Sequence, residues 1–95
     1  MYDTEVEECR RRIALGNSLN TLLNHNPDFR VLILEGLLHD EVLEWSLNIN
    51  VKESDTIQFL KSVALFKRYL DKVRTEAEQA QIDLSNYMNL IQDGR

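Results

Sequence analysis

One pattern in the C-terminal part of the chain constrains the fold more than any other. Apolar residues recur there at alternating spacings of four and three, without interruption. This seam consists of Phe59, Val63, Phe66, Leu70, Val73, Ala77, Ala80, Leu84, Tyr87 and Ile91. A period of 3.5 residues sustained over this length is typical of coiled-coil packing. The seam predicts one helix over about residues 54–92, roughly 57 Å long at about 1.5 Å per residue.

The residues beside the seam differ between the two halves of this helix. Leu60, Leu65 and Tyr69 widen the apolar face in the first half, so we expect that half to pack on other helices in a bundle. In the second half the flanking residues are polar, and Ala77 and Ala80 make the seam narrow. That half is predicted either to form a thin coiled coil or to stay bare until a partner binds.

An amphipathic pattern predicts a first helix over about residues 4–23. Its apolar stripe comprises Val6, Cys9, Ile13, Gly16, Leu19 and Leu23. Thr4 and Glu7 have the spacing of an N-terminal capping box. Gly16 lowers helix propensity by about 1 kcal/mol relative to Ala, and its place on the stripe suggests that another helix approaches closely there.

A second helix is predicted over about residues 27–47, with the strongest local start signal in the chain. Asn26 suits the N-cap, Pro27 the first helical position, and Asp28 the positive end of the helix dipole. Apolar residues then occupy more than one face of the helix. Such a helix is buried on several sides, so we expect another subunit or another protein to cover part of it.

The predicted fold is therefore all-α, with two helices of about 20 residues and a long C-terminal helix in a single domain, residues 1–95. Very low Pro and Gly content disfavours an all-β fold. Two antiparallel arrangements fit the helix lengths. The first two helices either lie end to end along the third, or form a hairpin on its first half.

Charge argues against nucleic-acid binding. The net charge is −5, whereas phosphate binding requires clustered Lys and Arg. One basic run, Arg10–Arg12, follows three glutamates, and we expect pairs such as Glu7–Arg11 and Glu8–Arg12 on the helix surface. The alternative is that this run binds phosphate or an acidic partner.

The single cysteine, the N-terminal segment and the length of the apolar runs indicate where the protein is expected to be found. The single cysteine, Cys9, lies in phase with Val6 and Ile13 and is predicted to be a buried apolar residue. The N-terminal segment is acidic and polar, unlike a signal peptide. The longest unbroken apolar run, Val31–Leu34, is far shorter than the ~20 residues of a membrane span. We expect a soluble, intracellular protein without a membrane partner.

No enzyme chemistry is predicted. No nucleophile elbow or Gly-rich phosphate loop occurs. Glu35 and His39 share one helix face, and solvated surface charge is the expected explanation. A metal site would require further ligands, and the remaining alternative is a site formed between symmetric copies. We therefore predict no catalytic, cofactor-binding or metal residues.

One stretch, "NPDFRVLILEGLLHDE", resembles a pattern in small, mostly uncharacterised proteins of tailed bacteriophages. The similarity continues in the long helix and spans about residues 5–85. The matching residues are Asn26, Pro27, Asp28, Phe29, Leu32, Ile33, Leu34, Gly36, Asp40, Glu41, Tyr69, Leu70, Ala77, Glu78 and Ala80. The chain departs from the pattern in its short connection "NINVKES" and in Trp45, where an aliphatic residue is usual.

The resemblance implies a non-enzymatic phage protein of the structural and assembly gene cluster, found in the host cytoplasm or the virion. We therefore expect a scaffold, adaptor or minor virion component that binds through coiled-coil contacts, as a homo-oligomer, with another phage protein, or both. The alternative is a small acidic inhibitor of a host nucleic-acid-binding protein. The predicted interface comprises Phe29, Leu32, Ile33, Leu37, Trp45, Phe59, Val63, Phe66, Leu70, Val73, Ala77, Ala80, Leu84, Tyr87 and Ile91.

Overall fold

The computed structural model describes residues 2–94, so Met1 and Arg95 of the predicted domain lie outside the described range. Helix α1 spans Asp3–His25. Helix α2 runs without a break through three parts, Pro27–Phe29, Arg30–Glu41 and Val42–Leu47. Helix α3 spans Glu53–Asp93. No strand occurs in residues 2–94, and the predicted all-α class with a long C-terminal helix is confirmed.

The start of α2 is built as its sequence indicates. The backbone of Asn26 is extended, and its side-chain Oδ1 accepts a hydrogen bond of 3.0 Å from the Phe29 N–H. Pro27 occupies the first turn, where its missing N–H leaves no unpaired donor. Arg30 also donates a 2.9 Å hydrogen bond to the carbonyl oxygen of Leu23. This local chemistry fixes where α1 ends and where α2 begins.

The middle of α2, Arg30–Glu41, is π-helical, which the sequence did not predict. A π-helix closes i→i+5 hydrogen bonds and is rarely longer than a single turn. A Cβ built on Gly36 would lie 3.1 Å from the carbonyl oxygen of Val31, five residues earlier. Because the turn is wider than in an α-helix, spacings of three and four no longer identify which residues of this segment share a face.

The start of α1 differs from its predicted cap, whereas α3 begins close to its predicted start. The Val6 N–H donates to the Tyr2 carbonyl at 2.9 Å, so Thr4 lies inside the first turn of α1. The predicted capping box of Thr4 and Glu7 is therefore wrong. In α3, the carbonyl of Lys52 accepts bonds from the N–H groups of Asp55 and Thr56 at 3.0 and 3.1 Å. The helix thus begins just before Ser54.

The chain divides into two compact units. One combines Met1–Asn20 with Asp71–Arg95, and the other comprises Thr21–Leu70. Most of α1 therefore pairs with the second half of α3, and α2 pairs with its first half. The hairpin of α1 and α2 together on the first half of α3 is not the arrangement found.

In the first unit, α1 and α3 approach closely and run antiparallel. A Cβ built on Gly16 would collide with the Cβ of Ala77. Near the start of α1, the rings of Tyr2 and Tyr87 lie 5.2 Å apart between centroids. Ala77 is buried and Ala80 is only 1% exposed. The expected close approach at Gly16 is confirmed, and the alternative of a bare C-terminal seam is wrong, because α1 covers it.

In the second unit, Trp45 of α2 stacks on Phe59 of α3. Their ring centroids are 4.5 Å apart and the ring planes differ by 18°. Leu38 and Val63 are buried in the same unit. Leu65 and Tyr69, however, are 65% and 55% exposed. The expectation that these two residues pack inside a bundle is wrong, because α1 is not available to cover that side of α3.

Substitution of Gly16 tests the close approach. We expect Gly16→Ala to lower the free energy of unfolding by about 1–3 kcal/mol, because the new methyl group overpacks against Ala77. Intrinsic helix propensity alone would raise it by about 1 kcal/mol. Chemical denaturation followed by circular dichroism measures the difference.

Two variants control that experiment. Ser18→Ala, at an exposed position of the same helix, should be slightly stabilising. Ala77→Gly should restore part of the stability lost in Gly16→Ala, with a coupling of about 0.5–3 kcal/mol. Strictly additive effects of the two changes would contradict the contact.

The Trp45–Phe59 stack can be tested with the only tryptophan of the chain. Phe59→Leu keeps an apolar side chain but removes the ring, and should cost about 1 kcal/mol of unfolding free energy. It should also change the emission of Trp45. Phe66→Leu is the matched control, because Phe66 makes no ring contact within residues 2–94. Equal spectral changes in both variants would argue against the stack.

Candidate protein-interaction surface

Large apolar side chains of α2 are left in contact with solvent. Leu32 is 69% exposed and Leu47 is 78% exposed, and Val31 and Leu43 are also exposed. We call these four residues the α2 surface. Leu38 is the only residue of α2 that the structure buries. Val31 and Leu32 are neighbours in the chain, and Leu43 and Leu47 lie one helical turn apart. Exposed apolar side chains that lie together mark a site of protein interaction more often than scattered single ones do.

The first half of α3 presents a second exposed face. Ile57, Lys61, Ala64, Leu65 and Arg68 follow one another at helical spacings and form what we call the α3 stripe. A shallow depression between its two cations is lined by Lys61, Ala64, Leu65 and Arg68. Within the stripe, the apolar residues Ala64 and Leu65 are therefore flanked by the positive charges of Lys61 and Arg68.

The two surfaces differ in charge. Around the α2 surface the charged residues are acidic, and between Arg30 and Lys52 no Lys or Arg occurs. These acids are Glu35, Asp40, Glu41 and Glu44. The α3 segment from Thr56 to Leu70 contains Lys61, Lys67 and Arg68 and no acid. All of these charged side chains are exposed. Within the described residues, none of the three cations forms an ion pair.

Glu35 and His39 lie in the π-helical segment and line a shallow depression with Leu34 and Asp40. The His39 Nδ1 atom is 3.0 Å from Oδ1 of Asp40. Across residues 2–94, no group of three or more His, Cys, Asp or Glu side chains is placed to hold a metal ion. This edge of α2 is a solvated acidic surface within one chain.

The predicted interface residues fall into three groups. Those that the chain itself buries are Val63, Val73, Ala77 and Ala80. Those half-buried are Phe29, Ile33, Leu37, Trp45, Phe59, Leu70, Leu84 and Tyr87. Those exposed are Leu32, Phe66 and Ile91. The chain thus uses most of the heptad seam internally, whereas the exposed members are open to a partner.

Sequence reasoning missed several exposed residues of both surfaces. The predicted interface does not include Val31, Leu43 and Leu47, and Leu65 is predicted to pack inside a bundle. The sequence does contain one indication of this exposure, which is the large number of apolar residues in the second helix. Two neighbouring helices cannot cover a helix that is apolar all round. Which residues of α2 remain uncovered depends on the π-helical geometry of that helix.

In the basic run of α1, Arg11 and Arg12 both form hydrogen bonds with the carboxylate of Glu8. Arg11 donates two hydrogen bonds to the Glu8 carboxylate, at 2.6 and 2.9 Å, and Arg12 donates a third at 3.0 Å. The expected Glu8–Arg12 pair is confirmed. Because Arg11 and then Arg12 stabilise the charged carboxylate, the pKa of Glu8 falls from 4.5 to about 2. These two arginines are thus partly neutralised, which weakens the alternative of a phosphate site here.

Cys9 is buried and free, as predicted. It contributes to the wall of a groove whose other residues are Thr4, Glu5, Glu8, Arg12, Asp83 and Tyr87. A buried thiol in an apolar stripe behaves as a small hydrophobic side chain. No chemical role follows from this position.

Comparison of the chain with protein-family models, with curated proteins and with solved structures finds no match. In the described part of the chain, no helix has the length and hydropathy needed to cross a membrane. The features of the molecule that bear on function are the exposed surfaces and their charge.

The lowered pKa of Glu8 gives a pH prediction. In an NMR titration, the Glu8 side-chain signal should stay flat through pH 4.5 and titrate only near pH 2. A depressed carboxyl pKa contributes stability above the unfolded-state value, and that contribution is lost as the pH falls from 4.5 towards 2.

Replacement of Arg11 and Arg12 by Gln should return the midpoint of Glu8 towards 4.5. Arg10→Gln is the control and should leave it unchanged, because Arg10 makes no bond to Glu8 within the described residues. A Glu8 midpoint near 4.5 in the unmodified protein would contradict the arginine contacts.

Proposed function

We propose that this chain is a non-enzymatic helical interaction protein and that its exposed α2 surface binds another protein chain. The observation that carries the proposal is the exposure of Val31, Leu32, Leu43 and Leu47 on one helix. Burying such side chains contributes about 1.5–3 kcal/mol each when the burial is complete. A partner that covers these four exposed side chains of α2 would therefore lower the free energy of the complex.

The helical character of the surface supports this role. Amphipathic helices present side chains at fixed spacings to a complementary groove or helix. Leu43 and Leu47 are one helical turn apart in the α-helical end of α2 and point from one face. Within the described residues, no cluster of His, Cys, Asp and Glu suitable for a metal accompanies the surface. Packing of apolar side chains is the chemistry that these residues offer.

The biological setting that we propose is virion assembly or structure in a tailed bacteriophage. This part of the proposal rests on the resemblance of residues 26–41 and of the long helix to small phage proteins. The chain would act there as a scaffold, adaptor or minor virion component. Its seam helix, α3, would serve mainly to hold α1 and α2 in place, while the exposed surfaces make the contacts with partners.

Site-specific photocrosslinking tests the proposal. Leu32 or Leu47 is replaced by the photoreactive residue p-benzoylphenylalanine, and the protein is irradiated in the cells that naturally make it. We expect both positions to form covalent adducts with a protein chain, identified by mass spectrometry. A virion or assembly protein among the adducts would support the phage setting. A basic nucleic-acid-binding host protein would instead support the acidic-inhibitor alternative.

Control positions are Ser18 and Glu78, which are exposed and polar. They should give no adduct, or much weaker ones, under the same irradiation. If Leu32 and Leu47 give no more adduct than these controls, the α2 surface does not bind a protein and the proposed function is wrong.

A further inference from the structure

Two exposed surfaces of the Thr21–Leu70 unit carry opposite charges. The acids of α2 lie between Leu32 and Leu47 along the helix. The α3 stripe sets Ala64 and Leu65 between the cations Lys61 and Arg68. Each surface is thus an apolar area with charges at its edge. An interface of this composition, with an apolar centre and a polar rim, is the usual one between proteins.

The opposite charges do not satisfy each other within the chain. Lys61, Lys67 and Arg68 have no ion-pair partner in residues 2–94. Of the acids on α2, Asp40 contacts only its own neighbour, His39. Both sets of charges therefore remain available to a molecule outside the chain.

We infer that the two surfaces bind each other between two copies of this chain. The α2 surface of one copy lies on the α3 stripe of the second copy, with Glu35 and Asp40 facing Lys61 and Arg68. This inference rests on the proposed function and names a second copy as the partner of the α2 surface.

Charge complementarity is the argument for a second copy. The chain carries a net charge of −5, so two copies repel each other in most orientations. An orientation that matches the acids of α2 with the cations of α3 removes this repulsion locally and replaces it with attraction. Each of these charged areas also adjoins an apolar side chain, because Leu34 lies beside Glu35 and Asp40, and Leu65 lies beside Lys61 and Arg68.

The contact is symmetric. If the α2 surface of the first copy binds the α3 stripe of the second, a two-fold axis makes the reverse contact at the same time. Both pairs of surfaces are then used and the assembly closes at two chains. The C-terminal half of the heptad seam takes no part, because Val73, Ala77 and Ala80 are buried within one chain.

The first measurement is mass in solution by light scattering over a range of concentrations. We expect a concentration-dependent shift from the chain mass of 11.1 kDa to twice that mass. A mass of 11.1 kDa at all concentrations would overturn the inference. Adducts of Leu32 with a different protein would then still uphold the proposed function, so the two failures can be told apart.

A charge-swap experiment tests the orientation. The double variant Lys61→Glu with Arg68→Glu makes the α3 stripe acidic, and Glu35→Lys with Asp40→Lys makes the α2 edge basic. Each variant alone places like charges in both contacts, so we expect self-association to weaken on the order of tenfold or more. When the two variants are mixed, both contacts match again and a mixed pair should form with an affinity close to that of the unmodified chain.

The matched control for the α3 variant is Arg10→Glu with Lys52→Glu, which changes the net charge by the same amount and in the same direction at exposed positions outside both surfaces. It should leave self-association nearly unchanged. Circular dichroism checks that every variant is folded, and the variant with all four substitutions in one chain should pair with itself. The proposed orientation would be wrong if either charge-swap variant self-associated as tightly as the unmodified chain. It would also be wrong if mixing the two variants did not restore pairing.

Discussion

The absence of a side chain at position 16 sets how closely α1 can approach α3. Gly16 faces Ala77, and no Cβ fits between them. Small residues at such a contact let the helices come near enough for the narrow seam of α3 to be fully covered, as the 1% exposure of Ala80 shows. Because α1 is committed to this contact, the part of the seam around Ala77 and Ala80 is not free for another chain. Exposed apolar residues remain on α2, on the first half of α3 and near the end of α3, for example Leu32, Leu65 and Ile91.

The sequence determined the helical elements well because their signals are local. The Asn26 cap, the proline that follows it and the 3.5-residue period of the seam each depend on residues within a few turns of one another. Gly16 was also interpretable, since a glycine on an apolar helix stripe has few purposes other than close packing. The capping box at Thr4 failed because a competing start, at the carbonyl of Tyr2, places Thr4 inside the first turn of the helix.

The helix that packs on each apolar face was harder to predict. Periodicity shows which residues share a face, but it does not show which other helix contacts that face. Leu65 and Tyr69 were expected inside a bundle and are exposed, because α1 pairs with the other half of α3. The π-helical geometry of Arg30–Glu41 had no sequence signal beyond Gly36, and it changes which side chains of α2 share a face. The proposed interaction surface therefore appears only when burial is known residue by residue.

The stacked pair of Trp45 and Phe59 and the buried thiol of Cys9 have a joint consequence. The only indole of the chain lies in the Thr21–Leu70 unit, and the only thiol lies in the other unit. Because Cys9 is buried, we expect a thiol reagent to react with it much faster when α1 opens, so its labelling rate reports the local opening of that unit. The emission of Trp45 reports the other unit independently. The chain thus carries one native probe in each unit, and comparing them measures the cooperativity between its two halves without any added label.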